Sequence, residues 1–493
     1  MRERIAASWA LWSVLAAQAT LTVPWMWRTG PFSGEAVYLS AARAGWSHLP
    51  SYTTSFPGSP LVYPPLVGAV DSVGGLIAAR LLSLVFMLGA TALVYSMGDR
   101  MFGQISGLLA ALLFAVCGIV VHLGAAATFD PMALFLLVLA LYAAVRMRDG
   151  GVGWILLCPV ALAAANVTKY ATIAWDPLIL GTVLLYGWSK KAQAIILTLS
   201  VAATTAVLEV GVLILGGSDF ETGVLLNVLY RSPQAGPPST TAGVFEHAML
   251  MTGLIVLIAI AGVWVSVIKK MPATATAFLI MLVIGALIAP LEQAKVHQIA
   301  SLDQNMSFGL PFAALGAGYA LGGWRQWLGR RRYWGKVIAT IAAVGTVITM
   351  LIVGRAERVQ FRGPGVAAAQ RVVTAIKNNY RPGTMILVDG TDKTDRYYLP
   401  SIPDDKWLAS TSAAAGPGPQ MYAQICTGRV SVLVLRTTNG KFDNPNDYVI
   451  APLVRKLFRP KLVAGQGGHR TIVYALSGSA KNVPSCGNLV NVG

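Results

Sequence analysis

The chain has 493 residues, of which 55% are hydrophobic and only 12% are charged, and its mean hydropathy is +0.61. Soluble proteins carry about a quarter charged residues, so this composition excludes an ordinary soluble protein and predicts an integral membrane protein. The net charge of +17 arises from Lys and Arg scattered over short polar segments and the C-terminal part. Because no basic helix or aromatic-interleaved basic patch accompanies them, we expect no nucleic-acid partner.

Apolar windows of about 20 residues predict a polytopic α-helical membrane protein with about eleven transmembrane helices over residues 1–354. The windows lie near residues 5–27, 76–97, 104–126, 131–147, 152–168, 171–188, 193–215, 248–268, 273–291, 306–323 and 337–354. The segments between them hold fourteen Lys and Arg on one side of the membrane and five on the other. Because cytoplasmic segments carry the excess of basic residues, we expect a plasma (inner) membrane protein with a cytoplasmic N-terminus.

Residues 355–493 contain no window that could span a bilayer, and an odd number of spans places them outside the cytoplasm. They carry 18 basic and 8 acidic residues. The basic surface that results either binds anionic head groups or polymers, or is an ordinary solvated surface. The patterns predict helices over 366–378 and 448–458, strands over 385–389 and 430–435, and a hairpin over 461–476. We therefore predict a small extracytoplasmic α/β domain.

The four cysteines divide between the two predicted domains. Cys117 and Cys158 lie in apolar windows, where we expect them to pack as small apolar side chains. Cys426 and Cys486 lie in the C-terminal domain, where an oxidising compartment would allow a disulfide. The sequence leaves that pairing open.

The first predicted external loop, residues 28–75, carries the acid Glu35. A carboxylate at a membrane boundary is costly unless it is solvated, paired or used. The loop is predicted to be partly helical over 36–45, and Tyr63-Pro64-Pro65 is expected to shape it because proline fixes φ.

Two short polar turns on the same predicted side hold Asp130 and Lys169. Asp130 precedes Pro131, so it either caps the next helix or acts chemically. Lys169 either snorkels to the membrane boundary or binds a ligand. A carboxylate can accept a proton from an incoming hydroxyl, and a cation can neutralise a phosphate leaving group. The residues on this side therefore suit chemistry on an anionic, lipid-borne substrate.

Five motifs occur in a fixed order: SGEAVYL at 33–39, YPPL at 63–66, GLIAARLLS at 75–83, FDP at 129–131 and TKY at 168–170. In this order the chain resembles the GT-C superfamily of membrane glycosyltransferases. Within it, the chain is most similar to the bacterial relatives of protein O-mannosyltransferases and lipid A aminoarabinose transferase, glycosyltransferase family 39. The similarity covers roughly the first 190 residues and continues mainly through 298–319.

The resemblance implies inverting transfer of a sugar from a polyprenyl-phosphate-linked donor to a lipid, polysaccharide or protein acceptor at the outer face. The Asp-Glu pair of the family is Gly34-Glu35 here, so either Glu35 or Asp130 would be the general base. The resemblance also implies roles for other residues. The donor phosphate would be bound by Lys169, Arg43 and Arg231, and the substrate pocket would include Tyr38, Tyr63 and His297.

No cofactor is certain from the resemblance, although some relatives bind a divalent cation. His48 and His297 lack a close metal-ligand spacing, so we do not expect them to bind a metal. An ordinary loop position is the alternative to the pocket role of His297. Two alternatives stay open. A secondary transporter would use a carboxylate within a span, for which Glu209 is the candidate. A catalytically inactive scaffold that presents the basic C-terminal part is the other alternative, because the Asp of the family's Asp-Glu pair is missing here.

Overall fold

The chain forms two compact units. The first comprises Met1–Met26 and Ala41–Phe361, and the second comprises Trp27–Ser40 and Arg362–Gly493. The computed structural model describes residues 2–31, 33–44, 58–59, 61–149, 151–225, 239–299, 301–329, 333–360, 366–389, 393–409, 418–443, 445–466 and 469–477. Arg231, His48 and Cys486 lie outside these residues.

The described residues of the first unit are mainly helical, because a backbone surrounded by lipid must satisfy its hydrogen bonds within each segment. The helices from the N-terminus to residue 360 are α1 (Arg2–Met26), α2 (Ser33–Ala44), α3 (Tyr63–Phe102), α4 (Gln104–Val116), α5 (Gly118–Gly124), α6 (Asp130–Arg146), α7 (Val152–Thr168), α8 (Asp176–Tyr186), α9 (Lys191–Val224), α10 (Thr241–Ala248), α11 (Leu254–Ile268), α12 (Ala273–Lys295), α13 (Leu302–Gly329) and α14 (Tyr333–Gln360). The boundary between the units falls within α2.

Every predicted apolar window overlaps one helix or a pair of consecutive helices. Among the described residues, four helical segments are long and apolar enough to cross a membrane, or five if the bent pair α4 and α5 is one span. The helical, membrane-spanning character is thus confirmed. The number of eleven spans and the orientation stay predictions.

Helix α3 begins earlier than its predicted window. It starts at Tyr63 with two prolines in its first turn, where the missing N–H groups leave no helical bond unmade. Gly75 interrupts it with φ 64° and ψ −165°, a conformation that a residue with a Cβ rarely adopts. The prediction that Tyr63-Pro64-Pro65 shapes a loop is therefore wrong, because these residues initiate a helix.

Small residues allow the helices of the first unit to approach closely. A Cβ on Gly262 of α11 would lie 2.9 Å from the Gly316 carbonyl oxygen of α13, so only glycine fits at this crossing. Neither Cys117 nor Cys158 forms a disulfide, and both are buried in the apolar core, as predicted.

The second unit contains a six-stranded mixed sheet in its described residues. The strands are β1 (Met385–Val388), β2 (Trp407–Ala409), β3 (Val430–Thr438), β4 (Lys441–Phe442), β5 (Phe458–Gln466) and β6 (His469–Leu476). The order is β2-β1-β3-β6-β5, with β4 on the end of β3. The pairs β1–β2 and β1–β3 are parallel, and β6 is antiparallel to β3 and β5.

Helices cover both faces of this sheet. They are α15 (Val366–Asn379), α16 (Lys393–Tyr398), α17 (Gly418–Cys426) and α18 (Pro445–Leu457). Alternate residues of β3 point to opposite faces: Leu433 packs in a cluster with residues of α17 and α18, whereas Val432 packs with residues of α15. The predicted strands, hairpin and two longer helices are present, and the location of the unit outside the membrane stays a prediction.

The second unit also includes a short piece of the N-terminal part. The Thr394 hydroxyl donates to the Pro31 carbonyl at 2.9 Å, and the Val366 N–H donates to the Trp27 carbonyl at 3.4 Å. Cys426 is disulfide-bonded, and its partner lies outside the described residues.

Candidate active site

The first unit contains a buried ion pair between Asp130 and Lys169. The Lys169 Nζ lies 2.6 Å from Asp130 Oδ1, and the side chains are only 1% and 4% exposed for Asp130 and Lys169. The snorkelling interpretation of Lys169 is therefore wrong. The capping interpretation of Asp130 is also wrong, because the position before α6 is Phe129 and no side chain caps this helix.

The local sequence explains where the carboxylate lies. The Thr128 N–H donates to the Ala126 carbonyl at 3.0 Å, which closes a tight turn between α5 and α6. Asp130 is the first residue of α6, and Pro131 follows in the first turn, where proline is favoured. A carboxylate in the first turn also interacts favourably with the positive end of the helix dipole.

Lys169 lies where α7 ends. Its backbone is extended, with φ −145° and ψ 112°, and a 3₁₀ turn over Tyr170–Trp175 follows. The Nζ lies 4.9 Å from the ring centroid of Phe308 and 5.6 Å from that of Phe129. Cation–π attraction is strongest when the cation is desolvated, so the two rings help to hold the ammonium group at this position.

Residues 58–59 of the first predicted loop pack directly against the residues before Lys169. The Ser59 N–H donates to the Val167 carbonyl at 2.8 Å. A Cβ on Gly58 would lie 2.0 Å from the Thr168 carbonyl oxygen, closer than any real contact, so only glycine fits. Tyr63 is 1% exposed, and its ring meets the Phe129 ring edge-on at 6.4 Å.

A polar cluster stabilises the other side of the Lys169 turn. The Thr172 hydroxyl lies 2.8 Å from the Lys169 carbonyl and 2.7 Å from Asn166 Oδ1. The Asn166 amide nitrogen in turn contacts the carboxylates of Asp176 and Glu209. The cluster therefore connects the backbone of Lys169 to α8 and α9.

Glu35 and Tyr38 belong to the second unit. Glu35 lies in the first turn of α2 and is fully buried, and Tyr38 lies one turn later and is half-buried. The structure thus brings Asp130, Lys169 and Tyr63 together in the first unit. A shared role for Glu35 and Tyr38 with these residues stays a prediction.

The remaining predicted residues have other surroundings. Arg43 forms an ion pair with Asp71, its Nη2 2.8 Å and its Nε 2.9 Å from Asp71 Oδ2. His297 follows α12, is exposed, and adopts a φ of 53°. Within the described ranges, no group of three or more His, Cys, Asp and Glu side chains could hold a metal ion.

Residues 66–214, less than a third of the chain, match the family model described as dolichyl-phosphate-mannose-protein mannosyltransferase. ArnT from Cupriavidus metallidurans bound to undecaprenyl phosphate has a similar structure, with 14% identity, coverage of 96% of this chain and 99% of that chain, and a TM-score of 0.62. The structure of the Archaeoglobus fulgidus oligosaccharyltransferase is also similar, with 12% identity, coverage of 95% of this chain and 74% of that chain, and a TM-score of 0.55. For the arabinofuranosyltransferase AftD from Mycobacteria, the identity is 14%, the coverage is 94% of this chain and 40% of that chain, and the TM-score is 0.52.

The predicted resemblance to the GT-C membrane glycosyltransferases is confirmed. The similarity to solved GT-C structures extends over almost the whole chain at low identity, so it establishes the fold. No curated protein sequence matches the chain.

Sequence reasoning missed three residues that shape the surroundings of Lys169. Gly58 reads as an ordinary loop glycine, and its close approach to Thr168 has no local sequence signal. Asn166 and Thr172 are polar residues at the ends of apolar windows, where they resemble boundary residues. Their spacing of three residues on either side of Lys169 is the one signal that could have linked them to it.

Proposed function

We propose that the chain transfers a sugar from a polyprenyl-phosphate-linked donor to an acceptor at the outer face of the membrane, and that Lys169 binds the donor phosphate. The buried Asp130–Lys169 pair supports this proposal more than any other observation. A buried ammonium group needs a compensating anion, and Asp130 supplies one in the absence of substrate.

Lys169 can bind phosphate without leaving Asp130. An ammonium group has three N–H donors, and one of them points to Asp130 Oδ1. The other two are available to phosphate oxygens. With Phe129 and Phe308 against the Nζ, water is displaced from it, which strengthens its attraction to a departing phosphate.

Asp130 and Glu35 then have different roles. We assign Asp130 to positioning Lys169, because its Oδ1 contacts the ammonium group directly. Glu35 is assigned as the general base on the sequence resemblance. The acceptor hydroxyl attacks the anomeric carbon, the bond from that carbon to the phosphate oxygen breaks, and the proton passes to Glu35. Polyprenyl phosphate leaves, and the anomeric configuration inverts.

The comparisons support the donor class. The ArnT structure is bound to undecaprenyl phosphate, and the family model is described by a dolichyl-phosphate-linked mannose donor. Undecaprenyl phosphate is a polyprenyl-phosphate carrier, and dolichyl-phosphate mannose is a sugar linked to a carrier of the same type. The acceptor is a lipid, a polysaccharide or a protein.

Binding of undecaprenyl phosphate to the purified full-length chain tests the assignment of Lys169. We expect Lys169→Gln to weaken binding by about tenfold or more, because a charge-assisted hydrogen bond to phosphate is lost. Lys295→Gln is the matched control, since Lys295 is exposed and lies on the same predicted side. Equal binding by the two variants would refute the phosphate site.

Transfer activity tests the two carboxylates separately. With a polyprenyl-phosphate sugar, Glu35→Gln should lower kcat about a hundredfold or more, the usual contribution of a general base. Asp130→Asn should mainly raise the KM for the donor. An unchanged kcat in Glu35→Gln would show that Glu35 is not the general base and would assign that role to Asp130. Solute uptake without sugar transfer would instead favour the transporter alternative.

A further inference from the structure

A cavity lies at the opposite end of helix α6 from the Asp130–Lys169 pair. Helix α6 ends at Arg146, and 17 residues at 1.5 Å each span about 25 Å. A cavity of about 1070 Å³ opens there, among the ends of α3, α6 and α8 and the start of α12. We refer to it as the distal cavity. Its residues have no part in the proposed transfer reaction.

Two guanidinium groups on the wall of the distal cavity share one carboxylate. The Arg146 Nε lies 2.9 Å from Asp149 Oδ2, and Arg100 Nη2 contacts Asp149 Oδ1. Two positive charges against one negative charge leave this triad with a net charge of +1. The Arg100 and Arg146 side chains remain 39% and 30% exposed, so both can accept a further anion.

Arg146 is held in a fixed orientation. Its Nη1 donates to the Tyr142 hydroxyl at 3.2 Å, and its guanidinium carbon lies 4.8 Å from the Trp154 ring centroid. A planar guanidinium group fixed in this way binds phosphate with little further loss of side-chain entropy. The triad is therefore organised before any anion arrives.

The rest of the lining is largely apolar and aromatic. It includes Tyr95, Phe102, Leu185, Trp188 and Phe278. A site with a cationic corner and a broad apolar wall suits an amphiphile better than a small hydrophilic anion. The volume is at the upper end of ligand pockets, which span about 300–1000 Å³, and it accommodates a head group with the beginning of its chains.

The lining of the cavity has no net charge, because Asp99 also lines it and balances the net charge of +1 on the triad. Further cations flank the cavity. The exposed Lys190 and Lys191 follow Trp188, with the Lys191 Nζ 5.4 Å from the Trp188 ring centroid. The exposed Lys269 and Lys270 precede Met271, another lining residue. These four lysines favour an anionic ligand.

We infer that the distal cavity binds the phosphate head group of an anionic membrane phospholipid, with the Arg100–Asp149–Arg146 triad on the phosphate. The acyl chains would follow the apolar wall toward the bilayer. This inference is independent of the proposed function, because it concerns the other end of α6. It adds a lipid site on the predicted cytoplasmic side of the protein.

Native mass spectrometry of the delipidated full-length protein, titrated with phosphatidylglycerol or phosphatidylcholine, tests this inference. We expect phosphatidylglycerol to bind more tightly. The double variant Arg100→Gln/Arg146→Gln should weaken its binding about tenfold or more. Asp149→Asn should strengthen it, because both guanidinium groups lose their competing carboxylate. Arg371→Gln, an exposed arginine of the second unit, is the matched control and should have no effect.

Ala275→Trp provides a second test that leaves all charges in place. Ala275 lines the cavity, so an indole there would fill it and should reduce phosphatidylglycerol binding. Equal binding of the two lipids, or wild-type binding by both cavity variants, would overturn the inference. Full competition by soluble glycerol phosphate would assign the cavity to a free phosphate ester and would also overturn it.

Discussion

The Asn166 amide nitrogen in α7 lies 2.7 Å from Oε1 of Glu209 in α9. The same nitrogen lies 2.9 Å from Oδ2 of Asp176, so one amide group serves two carboxylates. Carboxylates within apolar helices are costly unless they are paired. Asn166 is 4% exposed and is therefore a buried link between α7, α8 and α9.

Removing this amide should destabilise the first unit. We expect Asn166→Ala to lower the free energy of unfolding by about 1–3 kcal/mol, because two carboxylates lose a buried donor. Thermal unfolding of the solubilised protein measures the change. Gln193→Ala is the control, since it removes an amide from an exposed position of α9.

The double variant Asn166→Ala/Glu209→Gln identifies the cause. Neutralising Glu209 removes one of the stranded charges, so the second substitution should recover part of the lost stability. A strictly additive loss, or equal midpoints for Asn166→Ala and Gln193→Ala, would show that the amide does not stabilise the carboxylates.

Hydropathy predicted the helices well because burial in lipid acts on every residue of a span. The windows around α6 and α7 both match helices closely, and the turns that carry Asp130 and Lys169 follow from where those windows end. Their contact at 2.6 Å does not follow, because the approach of two turns depends on the packing of whole helices. Sequence reasoning placed the two residues on one side but could not pair them.

Other features were missed for local physical reasons. Strand β2 has three residues, too few for an alternating pattern to be recognised. Glu35 was assigned to a loop of the transmembrane domain, whereas Trp27–Ser40 packs with the C-terminal part. That grouping depends on contacts such as Thr394 with Pro31, across 363 residues of sequence.

Gly58→Ala should disturb the residues before Lys169. The new Cβ would meet the Thr168 carbonyl oxygen at 2.0 Å, and that backbone must shift to admit it. We expect weaker undecaprenyl phosphate binding, because Lys169 directly follows Thr168. Gly153→Ala in α7 is the control: nothing lies within 4 Å of its Cβ, and alanine favours the helix by about 1 kcal/mol. Similar binding by the two variants would contradict the expected shift.

Asp389 and Asp447 form a buried acidic pair in the second unit. Asp389 follows β1, and its Oδ2 accepts a hydrogen bond from the Arg436 N–H at 3.2 Å. Asp447 lies in the first turn of α18 and is fully buried. Burial, reinforced by the neighbouring Asp389 carboxylate, raises the pKa of Asp447 to about 8. Burial also raises the pKa of Asp389, although the Arg436 N–H opposes this.

The raised pKa makes the second unit less stable as the pH increases. The folded unit keeps the Asp447 proton up to about pH 8, whereas the unfolded chain loses it near the ordinary pKa of 3.8. The folded state therefore binds more protons between these values, and the free energy of unfolding falls as the pH rises through this range.

Asp447→Asn should reduce this pH dependence, because only the contribution of Asp389 would then remain. An asparagine amide is uncharged at every pH and can donate to the Asp389 carboxylate, so we expect unfolding temperatures close to wild type near pH 4 and higher than wild type near pH 8. Thermal unfolding of the full chain across this range measures the difference. Asp405→Asn is the control, because Asp405 is 68% exposed beside Lys406. Parallel pH profiles for wild type and Asp447→Asn would contradict the assignment.

The pair Asp130–Lys169 allows folding and function to be separated. Either neutral substitution alone, Asp130→Asn or Lys169→Gln, leaves a buried charge without its partner, which costs about 3–5 kcal/mol in comparable pairs. The double variant Asp130→Asn/Lys169→Gln has no charge at this position, and the two amides can bond each other. We therefore expect it to recover most of the stability lost in the single variants.

Undecaprenyl phosphate binding should not recover with stability in the double variant. The glutamine amide that replaces the Lys169 ammonium group is neutral and could not neutralise a phosphate, so binding should stay as weak as in Lys169→Gln. Thermal unfolding and lipid binding of the three variants, measured together, decide between two roles. Binding restored along with stability would mean that Lys169 acts only by maintaining the fold. Stability restored without binding would mean that its charge acts on the donor.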